Sequence, residues 1–149
     1  MPGVLVIAES RRGELRDVSF ELIGAALGLA EQGAGTVSVA LIDAHAAARG
    51  PALGSDGVNE VLAVTSPVPE FEAHIAQRAL VELIEHERPG VVIAAHSIDA
   101  LGFAPAVAAV KRLGFASDVT AMAWEGGLIA TRGAFGDKLV AQCDFPGQE

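Results

Sequence analysis

The chain has a single cysteine, Cys143, so no internal disulfide can form and an oxidising compartment is not implied. Aromatic residues are scarce at 5%, while hydrophobic residues make up 51% and much of that share is alanine. The core must therefore be packed from Val, Ile, Leu and Ala, with few large rings. Positive charge is also in short supply, and the formal net charge is −9. Phosphate binding needs a basic face, so this balance argues against a nucleic-acid partner and equally against an anionic membrane surface. The excess carboxylates favour solubility and suit a partner with a basic patch. No apolar run reaches the length of a bilayer span. The opening run, Val4 to Ala8, lacks a basic segment before it, is too short for a signal-peptide core, and is followed by Glu9 and Arg11. The expected location is cytoplasmic, or the matrix in a eukaryote.

Several chemical signatures are missing as well. No G-x-G-x-x-G follows the first apolar run, and no G-x-x-x-x-G-K-[ST] occurs anywhere. No serine lies in a G-x-S-x-G turn, so nucleophilic hydrolysis has no support. The histidines His45, His74, His86 and His96 form neither H-x-x-x-H nor H-E-x-x-H, and none is near Cys143 in sequence. No metal site and no catalytic residue is expected.

What is present is an alternation of short apolar runs and helical patterns within 149 residues, enough for one domain over 1-149. Val4 to Ala8 is apolar without a break, which suits a parallel strand buried on both faces. Ser19 is placed to cap a helix reaching about Gln32, with Phe20, Ile23, Leu27 and Ala30 on its apolar face and Gly33 ending it. Thr36 to Ile42 and Val58 to Val64 read as strands, with a weak helix between Ala44 and Leu53. Pro67 and Pro69 lead into a helix from Glu70 to Glu87 that buries Ile75, Ala79 and Leu83, with Leu80 and Ile84 beside them. Pro89-Gly90 stops it. Val91 to Ala95 is the next strand. One further helix runs from Leu101 to Leu113, with Pro105 in its first turns and Gly114 at its end. Val6, Val92 and Ile93 are expected in central strands.

Beyond Gly114 the alternation stops. Ser117 to Trp124 and Leu128 to Thr131 flank Gly126-Gly127 as a hairpin, and Leu139 to Phe145 adds a third strand. The fold class is α/β: a doubly wound, mostly parallel sheet with flanking helices and an antiparallel C-terminal extension.

In such a sheet ligands sit beyond the carboxyl ends of the strands, where strand order reverses. That edge should gather Glu9, Asp43, Ser97 and Asp99, with Ser10, Arg11 and His96 beside them. A nucleotide could place its ribose at Glu9 or Asp43 and its phosphate near Ser97. The plainer expectation is a polar loop cluster with no ligand. His96 would need Asp99 to orient it as a base, and an exposed loop histidine is the simpler reading. His74 and His86 fit a solvated helix face. Cys143 suits packing in a strand, Trp124 covers the hairpin end, and Arg132 either pairs with Asp118 or is solvated.

Taken in order, these segments resemble the electron-transfer flavoprotein alpha subunit over nearly the whole chain. The similar stretches are Val4-Leu5-Val6-Ile7-Ala8-Glu9, Gly13-Glu14-Leu15 and Ser19-Phe20-Glu21-Leu22-Ile23-Gly24-Ala25-Ala26. They continue with Pro89, Val91-Val92-Ile93-Ala94-Ala95 and Ala104-Pro105-Ala106-Val107-Ala108-Ala109. The most specific are Ser117-Asp118-Val119-Thr120-Ala121, Gly126-Gly127 and Ala130-Thr131-Arg132. The resemblance implies the N-terminal domain of that subunit, a three-layer sandwich like that of adenine-nucleotide hydrolases. It also implies a beta-subunit partner of related fold and FAD held mainly by a C-terminal domain, expected beyond Glu149. A fragment and a natural single-domain relative both fit. The chain departs from the family at Ala100-Leu101-Gly102 and at Phe135-Gly136-Asp137-Lys138, so no site residue is carried over there.

The expected function is a scaffold and docking domain of a flavin-dependent electron carrier that passes on electrons from dehydrogenases. The alternative is a stand-alone domain binding an adenine nucleotide such as AMP. A hydrolase using His96 and Asp99 has neither nucleophile nor phosphate loop. Phe135, Leu139 and Phe145 form the expected partner surface, through which the isolated chain would pair as a twofold homodimer. Asp137, Lys138 and Asp144 are the charges that would oppose such pairing.

Overall fold

A computed structural model describes residues 2–146. Four parallel strands, β1 (Val4–Ala8), β4 (Val37–Asp43), β5 (Glu60–Thr65) and β6 (Val91–Ile93), form a sheet of order β5-β4-β1-β6. A short hairpin, β2 (Ser10–Arg11) with β3 (Glu14–Leu15), follows β1. Helices α1 (Val18–Leu29) and α2 (Ala46–Arg49) lie on one face of the sheet, and α3 (Ala73–Glu87) and α5 (Ala104–Lys111) on the other. α4 (Ile98–Leu101) is a single turn before α5.

β1 shows why the first apolar run is continuous. Val4, Val6 and Ala8 pack with Ile23, Ala26 and Leu29 of α1, while Leu5 and Ile7 pack with Ala76, Leu80 and Ile84 of α3 and with Phe103 and Val107. All five residues are buried, as expected of a strand covered on both faces.

Several local expectations shift. Ser19 is not the cap of α1; Asp17 holds that position, and Ser19 is fully buried two residues on, within the first turn. Phe20 projects to solvent because the buried stripe runs through Ser19, Ile23, Ala26 and Leu29. α1 closes in a wide turn over Ala30–Ala34, where Gly33 takes φ 104°. In α3 the fully buried positions are Ala76, Leu80 and Ile84, one residue on from the predicted stripe; Ile75, Ala79 and Leu83 flank it. The helix predicted over Leu101 to Leu113 is broken at Gly102-Phe103, because Ser97 caps a separate turn and Pro105 opens a new helix. α3 and α5 end on Arg88 and Arg112, both left-handed, so Gly90 and Gly114 lie beyond the caps. Among the described residues β6 pairs with β1 alone and ends the sheet, so Val92 and Ile93 lie in an edge strand rather than a central one, with Val92 half-buried and Ile93 buried.

The antiparallel extension is a sheet of its own, β7 (Val119–Trp124), β8 (Leu128–Ala134) and β9 (Leu139–Cys143), in that order. Met122, Trp124 and Leu128 join the core on the α1 side, and the Trp124 N–H donates to Gln32 Oε1 at 2.7 Å. Trp124 therefore docks this sheet onto the end of α1.

Candidate functional site

In a parallel sheet all carboxyl ends share one edge, so side chains far apart in sequence meet there. From β1 the chain moves outward to β4 and β5, then returns to place β6 on the other flank of β1. Strand order therefore reverses at the end of β1, where Glu9 stands. Asp43 closes β4, and Ser97 follows β6 after a short loop.

The four predicted site residues come together, bound to partners within the fold. The Ser97 hydroxyl donates to Glu9 Oε1, and Arg16 Nη1 donates to Glu9 Oε2 at 2.9 Å. Ser97 Oγ also accepts the Ala100 N–H at 3.1 Å, which caps α4. The Ser10 hydroxyl donates to Asp43 Oδ2, while Asp43 Oδ1 accepts from the His45 N–H at 2.7 Å and Arg49 Nη1 at 2.5 Å. Asp99 Oδ2 lies 3.7 Å from Arg11 Nη2. Burial pushes the Asp43 carboxyl upward, but the bonds from Ser10, His45 and Arg49, with the guanidinium charge, outweigh it and hold the group below the usual carboxylate range.

Arg16 and Arg49 were not singled out from the sequence, and Ser19 was read only as a helix cap. Ser19 Oγ accepts the Glu9 N–H at 2.8 Å and donates to the Glu9 carbonyl at 3.1 Å, which fixes the backbone just after β1. The available signal was a small polar residue inside an otherwise apolar helix stripe. Arg16 follows Glu9 by seven residues, a spacing that has no meaning until the intervening hairpin folds back.

A crevice of about 580 Å³ lies along this edge. Its polar wall includes Glu9, Asp43 and Asp99, and its apolar wall includes Phe71, Ile75 and Phe103. The Phe71 and Phe103 rings stand 6.1 Å apart at 45°. Among the described residues no buried side-chain nitrogen or oxygen lacks a partner.

The remaining candidates separate. His96 Nε2 lies 3.9 Å from Asp118 Oδ1, with both groups exposed, while Asp99 faces Arg11. The His96–Asp99 pair required for a base does not form. Arg132 turns to the Gly133 carbonyl and Ser117 Oγ rather than to Asp118. His74 and His86 are exposed beside Glu72 and Glu87. Cys143 is a half-buried free thiol on β9. Phe135 and Leu139 are exposed, as is Val140, while Phe145 is half-buried against Gly114, where no Cβ would fit. Among the described residues no three His, Cys, Asp or Glu side chains are grouped to hold a metal, and no helix is long and apolar enough to cross a membrane.

A family model described as "Electron transfer flavoprotein domain" matches residues 4–148. The chain belongs to the electron transfer flavoprotein domain family. Within it, the chain is 42% identical over 99% of its length to an electron transfer flavoprotein subunit alpha from Methylophilus methylotrophus, covering 46% of that protein. It is 31% identical over 97% of its length to the protein FixB of Clostridium saccharobutylicum, covering 44%. A subunit alpha from Clostridium acetobutylicum is 30% identical over 93% of this chain, which covers 43% of it. The chain thus spans a little under half the length of these relatives. The match bears out the resemblance to the N-terminal domain of an electron transfer flavoprotein alpha subunit.

Proposed function

We propose that this domain is a scaffold and docking unit of a flavin-dependent electron carrier, which seats a separate FAD-holding domain and binds a beta-subunit-like chain. The single observation that supports this reading is the internal spending of the crevice's polar groups. Glu9, Asp43, Ser97 and Asp99 are bound to Arg16, Arg49, Ser10 and Arg11 and to backbone N–H groups. FAD needs donors for a diphosphate and a slot for a large planar ring. Arg11, Arg49 and Ser10 along this edge are held by carboxylates, and the loop after β1 is a tight hairpin rather than a glycine-rich cradle. In this reading the crevice is not the FAD site, and no electron-transfer step is assigned to these side chains. Membership of the family is consistent with a part in a flavin-dependent carrier. In this reading the protein works in the cytoplasm with electrons delivered by dehydrogenases.

Titration of the purified chain with FAD, followed by flavin fluorescence, tests this. Little or no quenching is expected, and tight stoichiometric binding overturns the scaffold reading.

A second reading is favoured by one observation, the position of the crevice at the reversal of strand order. An adenine nucleotide such as AMP would place its ribose near Glu9 or Asp43 and its phosphate near Ser97. Calorimetry with AMP and ATP separates the readings. Saturable heat that disappears in Ser97→Ala or Asp99→Ala supports the nucleotide, and no heat at millimolar-scale ligand removes it.

A further inference from the structure

Residues 10–15 are too short to fold for local reasons. Arg12 and Gly13 take φ 50° and 84°, the consecutive left-handed pair of a tight two-residue hairpin turn. The strands on either side hold two residues each, with Ser10 opposite Leu15 and Arg11 opposite Glu14. An isolated hairpin of this size is not stable in water. Its order must come from what it touches.

Those contacts are unusually matched. Ser10 donates to Asp43 at the end of β4, Arg11 faces Asp99 on α4, and Arg16 at the hairpin's base donates to Glu9 at the end of β1. The base is closed by the Arg16 N–H on the Glu9 carbonyl at 2.9 Å, and Leu15 packs against the core. At the tip, a Cβ on Gly13 would lie 3.3 Å from Arg49 Nη2, the guanidinium that also binds Asp43. The carboxylates along the crevice are thus counter-groups for the segment that forms one of its walls. Only Leu15 contributes an apolar anchor, and the Arg11–Asp99 pair is half-exposed. Polar and half-exposed contacts on a two-residue ladder belong to the low-stability end of a fold.

We propose that the β2–β3 hairpin is a charge-latched strap over the crevice, which opens as a local unit while the parallel sheet stays folded. Opening swings Ser10 and Arg11 away and uncovers the faces of Asp43 and Asp99 that they occupy. The proposal holds whether the domain is a scaffold or binds a nucleotide, because it concerns access to the crevice rather than its occupant.

Hydrogen exchange on the whole chain tests it, with the Arg16 amide reporting the strap and the Val6 amide the sheet. The Arg16 amide should exchange through an opening that denaturant hardly accelerates, while Val6 should exchange only with global unfolding. Asp99→Asn should speed Arg16 exchange about two- to fivefold, as expected for a partly exposed ion pair. Ser10→Ala should speed it about tenfold or more by removing a hydrogen bond to a carboxylate. Val6 exchange should stay unchanged in both. The swap Arg11→Asp with Asp99→Arg should restore the wild-type rate. If Arg16 exchanges only with Val6, or if Asp99→Asn and Ser10→Ala both leave its rate unchanged, the strap does not open as a unit and the proposal fails.

Discussion

The parallel and antiparallel sheets of this domain are built on opposite terms. β1 buries every residue between two helical layers, while β9 leaves Leu139, Val140 and Gln142 exposed. The first sheet draws stability from both sides and its strands can be apolar throughout. The second meets the core on the α1 side through Met122, Trp124 and Leu128, with Ala130 of β8 also buried, and its far strand pairs with β8. Burial on two faces makes a self-sufficient core. Burial on one leaves apolar side chains such as Phe135, 79% exposed, for which the fold itself has no use.

The sharpest way to break this contrast is to cut into the parallel sheet. Leu5 is buried against α3 and α5, so Leu5→Ala should cost about 3–5 kcal/mol, and Ile93→Ala on the edge strand about 2–3 kcal/mol, through lost transfer energy and a cavity. Urea denaturation measures both, and a cost under about 1 kcal/mol for either would place it with exposed sites.

Asp43→Asn comes next, at about 1–3 kcal/mol at neutral pH, because Arg49 loses its charged partner. The sign with pH follows from the depressed carboxyl. Its contribution is whole above the unfolded value of about 3.9 and is lost as pH falls through the lower folded value. Wild type and Asp43→Asn should therefore converge in stability below about pH 4. A gap that does not narrow at all as pH falls below about 4 contradicts the assignment.

On the antiparallel side the effects on the monomer should be small. Val140→Ala should change unfolding free energy by no more than about 0.5 kcal/mol. The same surface is where self-association is expected, as a twofold pair through residues 128–145. Sedimentation should show a dimer that Leu139→Glu dissociates. A 15.2 kDa species at every concentration removes the dimer, and a dimer that survives Leu139→Glu moves it off this surface.

The order of elements was legible because strand and helix periods alternate plainly as far as Gly114. The candidate site was legible in part for the same reason: carboxylates that follow parallel strands must share an edge, so Glu9, Asp43, Ser97 and Asp99 could be placed together. Their partners were not legible. Arg16 reaches Glu9 only because Arg12 and Gly13 reverse the chain, a turn with no apolar pattern around it. The stripe on α3 slipped by one residue because Ile75, Ala79 and Leu83 are as apolar as Ala76, Leu80 and Ile84, and only the tilt of the helix on the sheet chooses between them. The break between α4 and α5 was hidden because Ser97 both bonds Glu9 and caps a helix.

The edge strands also differ in what they offer to a misfolded neighbour. β6 ends the parallel sheet on one side with only three residues, Val91–Ile93, too short a row of backbone groups to template a growing stack. The opposite edge, β5, presents six, Glu60–Thr65, and β9 presents five, Leu139–Cys143, bracketed by Lys138 and Asp144 as gatekeepers at its two ends. Amyloid-like growth, if the domain is held partly unfolded, should therefore start at β5 or β9 and spare the β6 edge.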